Sequence, residues 1–155
     1  MRTVLSAAIL LLILAAGPTI VGPPATARGE ETGFTQSKAP VKKQIQSVIQ
    51  AQLAAFRSGN YQKAYTYASV GIRRRFAAAA FAEMVRSAYP AIARSRTAQF
   101  GAILDDSEQA VAHVLVEGTG DRVLYVYLLV RERGLWKIES VIEAQKPSLD
   151  GEVSI

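Results

Sequence analysis

The sequence has no cysteine, one histidine (His113) and one tryptophan (Trp136) in 155 residues. Without cysteine there is no disulfide framework, thiolate zinc site, iron–sulfur ligation or cysteine nucleophile, and a single histidine excludes a multi-histidine metal centre. No glycine-rich phosphate loop, nucleophile elbow or kinase signature occurs either. Most common catalytic chemistries are therefore missing, and no cofactor is expected. Half the residues are hydrophobic and a fifth are charged, with a net charge of +5. That composition fills the core of one ordinary domain and argues against disorder.

Long apolar runs are confined to the beginning. Met1 and Arg2 precede Val4 to Ala16, which Ser6 alone interrupts. The length suits a signal peptide, Gly17 and Pro18 break the run, and Ala25-Thr26-Ala27 is the small-x-small pattern of a cleavage site. Residues 1–27 are thus expected to be a signal peptide cleaved after Ala27, with export to the periplasm or beyond if the source is bacterial. The alternatives are an uncleaved membrane anchor, since a span needs about 20 residues, or a buried core helix. Residues 28–40 and 146–155 are polar, lack a regular period and are expected to be flexible. That leaves one domain over 41–145.

Within that domain Ile45, Val48, Ile49, Leu53 and Phe56 recur at helical spacing, opposite Lys42, Lys43, Gln46 and Gln50. Gly59 ends this helix. A short second helix is expected behind Asn60, a good N-cap, and a third from Ala77 until Pro90. After Arg96 the period changes to two. Thr97–Leu104, Ala110–Glu117, Val123–Arg131 and Leu135–Glu143 read as four strands joined by short turns. Helices followed by a run of strands predict an α+β fold with the helices on one face of a four-stranded antiparallel sheet. The third strand is apolar on both sides, so its second face is expected to be covered, for instance by a second copy in a homodimer through the sheet.

Several residue groups together resemble a known family. They are Val48-Ile49-x-Ala51-Gln52-Leu53-x-Ala55-Phe56, then Ala64-Tyr65-x-Tyr67-Ala68-Ser69-x-Gly71-Ile72-Arg73 with Phe76. Phe81-x-x-Met84-Val85-Arg86-x-x-Tyr89-Pro90, Phe100-Gly101 and Gly134-x-Trp136-Lys137-Ile138 continue the pattern. In these the chain is similar to an uncharacterised bacterial family of exported proteins, a domain of unknown function with the nuclear-transport-factor-two-like (cystatin-like) cone fold. The resemblance implies a curved sheet, export and a cone-shaped pocket, with no activity to carry over. Ketosteroid-isomerase-like sites in that superfamily need an Asp base inside the cone, whereas Asp105, Asp106 and Asp121 all lie in turns.

Candidate pocket residues are Tyr65 and Met84 from the helices, with His113, Tyr125, Tyr127 and Trp136 from the sheet; an apolar cleft with a few polar groups suits a small apolar or amphipathic ligand. Each tyrosine also has a plain reading as core packing with its hydroxyl on a carbonyl. His113 reads either as a hydrogen-bonded structural residue or as a general base, with Glu117 the one neighbour that strand periodicity supplies. Charge divides unevenly. Residues 28–100 hold twelve Lys/Arg and three Asp/Glu, and 101–155 hold five and ten. Arg73, Arg74, Arg75, Arg94 and Arg96 would focus an anionic partner such as a lipid surface, or simply form a solvated rim. Nucleic acid is not expected, since no base-stacking module is recognisable. Asp105-Asp106-x-Glu108 lacks calcium-loop spacing and reads as a solvated turn.

The leading expectation is an exported, non-catalytic domain that binds a small, partly apolar ligand or an envelope protein. The alternatives are an isomerase or hydrolase using His113 and a tyrosine, and association of the basic half with anionic lipid.

Overall fold

A computed structural model describes residues 33–144; the expected signal peptide with its Ala27 cleavage site, and the expected tail, lie outside these residues. The described chain is α+β, with helices packed against one face of a five-stranded antiparallel sheet in the order β1-β2-β3-β4-β5. One strand more than expected is present. β1 (Thr35–Gln36) comes from the stretch that showed no period, and two residues are too few to show one. It pairs with Asp105 and Leu104, and Ser37 N donates to Ile103 O at 2.9 Å.

α1 (Ala39–Arg57) starts two residues before the expected domain boundary at residue 41, with Pro40 in its first turn, where the missing N–H costs nothing. Ile45, Ile49, Leu53 and Phe56 form its buried stripe, and Gly59 at φ +70° closes the helix end. α2 (Tyr61–Thr66) begins at Asn60, whose side chain accepts from Lys63 N at 2.9 Å. α3 (Val70–Arg75) is a separate six-residue helix, too short for a periodic signal. In α4 (Ala78–Ala88) Phe81, Ala82 and Val85 are buried. Pro90 ends that helix and also opens α5 (Pro90–Ala93), because its fixed φ suits a first helical position.

β2 (Thr97–Asp105), β3 (Gln109–Glu117), β4 (Arg122–Glu132) and β5 (Leu135–Glu143) follow the alternating segments to within a residue or so. β4 and β5 are joined by Arg133-Gly134, both at positive φ, as a tight two-residue hairpin turn requires. Register is interrupted twice, at Gly101-Ala102 in β2 and at Glu139 in β5. Such bulges bend and twist a strand locally.

Ala110, Ala112, Val114 and Val116 of β3 and Tyr125, Tyr127 and Leu129 of β4 are buried under the helices. The small alanines of β3 leave room for α5 to pack on this strand, and Phe56, Tyr61, Tyr65 and Phe81 form an aromatic chain with centroid separations of 5.3 to 6.0 Å. The opposite sheet face carries Val111, His113 and Leu115 of β3 beside Leu124, Val126 and Leu128 of β4. β4 is thus covered on one side by helices, while Leu124 on the other is 41% exposed. The free edge of β5 is closed by Tyr67–Ser69: Ile138 N donates to Tyr67 O at 2.9 Å and Ser69 N to Ile138 O at 2.8 Å.

Candidate functional site

A cavity of about 240 Å³ lies between α1, α3, α4 and the inner face of β5. Its walls are the apolar side chains of Phe56, Ile72, Phe76, Phe81, Met84 and Val85. Three polar side chains, Gln52, Arg75 and Glu139, also border it; Ser140, opposite Leu128, turns its side chain to the other sheet face. The sequence places them there through three separate devices.

Gln52 interrupts the apolar stripe of α1 between Ile49 and Phe56 and is 4% exposed. Its Nε2 donates to Ala64 O at 3.3 Å, the only side-chain hydrogen bond it makes among the described residues. Glu139 is positioned by the β5 bulge. Leu129 pairs with Ile138 and Leu128 with Ser140, so Glu139 is the extra residue and Val141 returns to the helix-facing side opposite Tyr127. Arg75 arrives on α3, which is anchored at its start by Ser69. The fully buried Ser69 accepts from Ile72 N at 3.1 Å as an N-cap and donates its hydroxyl proton to Glu139 Oε2. Arg75 Nη2 meets Glu139 Oε1 at 3.3 Å. Ser69, Glu139 and Arg75 therefore form one chain at the cavity rim. Gly71 leaves room for this carboxylate: a Cβ on it would sit 2.8 Å from Glu139 Oε1 and push that side chain aside.

Among the expected pocket residues, Met84 lines the cavity. Tyr65 lies behind it, packed on Phe81 with its hydroxyl donating toward Phe76 O at 2.5 Å. Tyr125 and Tyr127 face the helices but belong to the packed core. Tyr125 packs at a tilt against Tyr89, ring centroids 6.2 Å apart, and Tyr89 donates to Val141 O at 3.0 Å. Burial, followed by the nearby Glu143 carboxylate, pushes the Tyr125 phenol up to about 12. The Tyr127 phenol is pushed well above its ordinary range by burial first and by the neighbouring Tyr125 second, and its Oη has no hydrogen-bond partner among the described residues. Trp136 is buried too, at the far end of β5 between α1 and the hairpin turn, bordering a separate groove with Val48 and Tyr67.

His113 is a correction. It pairs with Val126 while its neighbour Val114 pairs with Tyr125, so the imidazole lies on the sheet face away from the helices and the cavity. The alternation of β3 was legible, but which parity faces inward depends on the helices. His113 Nδ1 is buried without a hydrogen-bond partner among the described residues, unlike the hydrogen-bonded structural residue expected. Glu117, four residues along the strand, is engaged by Arg122 Nε at 3.2 Å and by Thr97 Oγ1 at 2.9 Å.

The five arginines do not converge. Arg73 Nη2 is 4.0 Å from Glu132 at one end of β4. Arg96 N donates to Glu117 O, and Glu117 pairs with Arg122 at the other end. Ten residues of strand, roughly 33 Å, separate these positions. Asp105 and Asp106 cap their own turn, and hydrogen bonds from the Gln109 and Glu108 backbone hold the Asp106 carboxyl below its usual range.

Gln52, Ile72, Phe76 and Glu139 were not anticipated in the cavity. A polar residue on an apolar stripe was the signal for Gln52. For Glu139 it was the three-residue step from Ile138 to Val141 in an otherwise alternating strand.

Among the described residues no group of three or more His, Asp or Glu is placed to hold a metal ion, and no helix is long and apolar enough to cross a membrane. Residues 38–151 match a family model described as a domain of unknown function (DUF4864). No curated protein and no solved structure matches the chain.

Proposed function

The chain belongs to the DUF4864 family of domains of unknown function, and from that starting point we propose that it is an exported, non-catalytic binding domain of the nuclear-transport-factor-two-like cone type, holding a small amphipathic ligand between α4 and β5. The observation that carries this reading is the cavity itself. A half-open apolar cleft bordered by Gln52, Arg75 and Glu139 from three elements is what small-ligand sites are built from. At about 240 Å³ it lies just below the common range for ligand pockets, so the ligand is compact. Export is supported by the run from Val4 to Ala16 and the Ala25-Thr26-Ala27 pattern.

The test is native followed by denaturing mass spectrometry on the full chain purified from its own host. The expected result is an extra, releasable mass on the native protein. Met84→Trp fills the cavity and is expected to abolish that mass while leaving a folded protein. A native spectrum without the added mass, or a Met84→Trp protein that retains it, would reject the cavity as the binding site.

A second reading is favoured by the opposite sheet face. Leu124 and Ile142 are 41% and 58% exposed on a face that also carries Val111, Leu115, Val126 and Leu128. We propose that a second copy of the chain covers it.

A further inference from the structure

The side chains at the mouth of the cavity discriminate between head groups. Among the described residues two charged side chains line the cavity, Arg75 of α3 and Glu139 of β5, and they are paired at 3.3 Å. Both oxygens of Glu139 are already engaged, Oε2 by the Ser69 hydroxyl and Oε1 by Arg75. Glu139 is therefore occupied in orienting the guanidinium. Arg75 itself is far from saturated. A guanidinium has five N–H donors, and Arg75 uses two, Nε to Gly71 O at 3.4 Å and Nη2 to Glu139 at 3.3 Å, both long. Its side chain is 59% exposed at the edge of an apolar cleft, with donors left to face an incoming group.

We propose that the cavity takes a monocarboxylate with a short apolar body, its chain seated among Phe76, Phe81 and Met84 and its carboxylate on Arg75. This rests on the reading of the cavity as a ligand site. A carboxylate matches the planar fork of a guanidinium in two parallel hydrogen bonds. A doubly charged head would bring a second negative charge beside the Glu139 carboxylate, with Arg75 the one cation of that lining to offset both. Size follows from volume. A cavity of about 150 Å³ holds benzene, so 240 Å³ holds roughly ten non-hydrogen atoms, the size of octanoate.

Calorimetric titration of the full chain with octanoate, 1-octanol and octylamine separates the contributions of head and tail. Octanoate is expected to bind one to one and about tenfold more tightly than octanol, the difference a charge-assisted pair makes. Arg75→Gln should remove that preference, bringing octanoate and octanol to about equal affinity. Because the comparison is a ratio within one variant, a general loss of folding does not imitate the result. Arg75→Lys, which keeps the charge but not the fork, should restore only part of it. Met84→Trp should abolish binding of octanoate and octanol together. Equal affinities for octanoate and octanol with no effect of Arg75→Gln would overturn the carboxylate assignment and leave the cavity reading standing. Tighter binding of octylamine would overturn it too, because Glu139 would then be reading the head. Absence of binding by all three probes, with a native spectrum free of added mass, would sink both.

Discussion

Tyr127 shows how one atom can run against its surroundings. The ring is fully buried among the apolar residues of the inner sheet face, yet its hydroxyl has no partner among the described residues. A buried unsatisfied hydroxyl costs about 1–3 kcal/mol. Tyr127→Phe removes the oxygen and keeps the packing, so it is expected to leave stability unchanged or raise it by about 1 kcal/mol, as read from urea denaturation. Tyr127→Ala should lose about 3–5 kcal/mol, because it leaves a hole in the core. The same residue sets an alkaline limit. Its phenol ionises far less readily folded than unfolded, and Tyr125 behaves likewise, raised from 10.0 to about 12. Below pH 10 both states keep these protons and nothing is lost. Above it the unfolded chain releases them first, so stability falls as pH rises toward 12. Tyr127→Phe should flatten that fall in a pH series of melting curves. An unchanged slope would place the alkaline loss elsewhere.

At the scale of elements, the turn between β3 and β4 is held against α5 by backbone proximity. A Cβ on Gly118 would lie 3.0 Å from Ala91 Cα and 3.1 Å from Ala91 O, and neither is the movable end of a side chain. Gly118→Ala is therefore expected to cost about 1–3 kcal/mol by forcing helix and turn apart. Gly120→Ala, in the same turn with open space around it but at φ +102°, tests backbone strain alone. If both variants lose the same amount, the close approach to Ala91 contributes nothing. This contact was invisible in the sequence, where Gly118-Thr119-Gly120-Asp121 reads only as turn chemistry. The four longer strands were legible because period two persists over nine or more residues. β1, α3 and α5, with two, six and four residues, are too short to show a period, and contacts with neighbouring elements define them.

At the scale of the whole molecule, two apolar surfaces were implied by one strand. Tyr125, Tyr127 and Leu129 went under the helices, and Leu124, Val126 and Leu128 went to the open face. If a second copy covers that face, Ile142→Lys should shift the full chain from dimer to monomer in sedimentation analysis, because two buried charges would then oppose each other across the contact. A wild-type monomer at high micromolar concentration would remove the dimer reading. The charge asymmetry behaves differently from its sequence appearance. The halves differ strongly in net charge, but Arg73 and Arg75 are paired with Glu132 and Glu139 of the acidic half. Folding thus sets part of the basic half against the acidic half.

Local periodicity and turn chemistry by themselves determined the fold class, since helices must bury one stripe and strands alternate whatever they touch. Asn60 could act as a cap wherever its helix packed. Tertiary structure alone decided which parity of β3 faces inward, and so excluded His113 from the cavity. It also brought Gln52 of α1, Arg75 of α3 and Glu139 of β5 to one site. These residues lie 23 and 64 positions apart along the chain, and a local pattern carries no information over such distances.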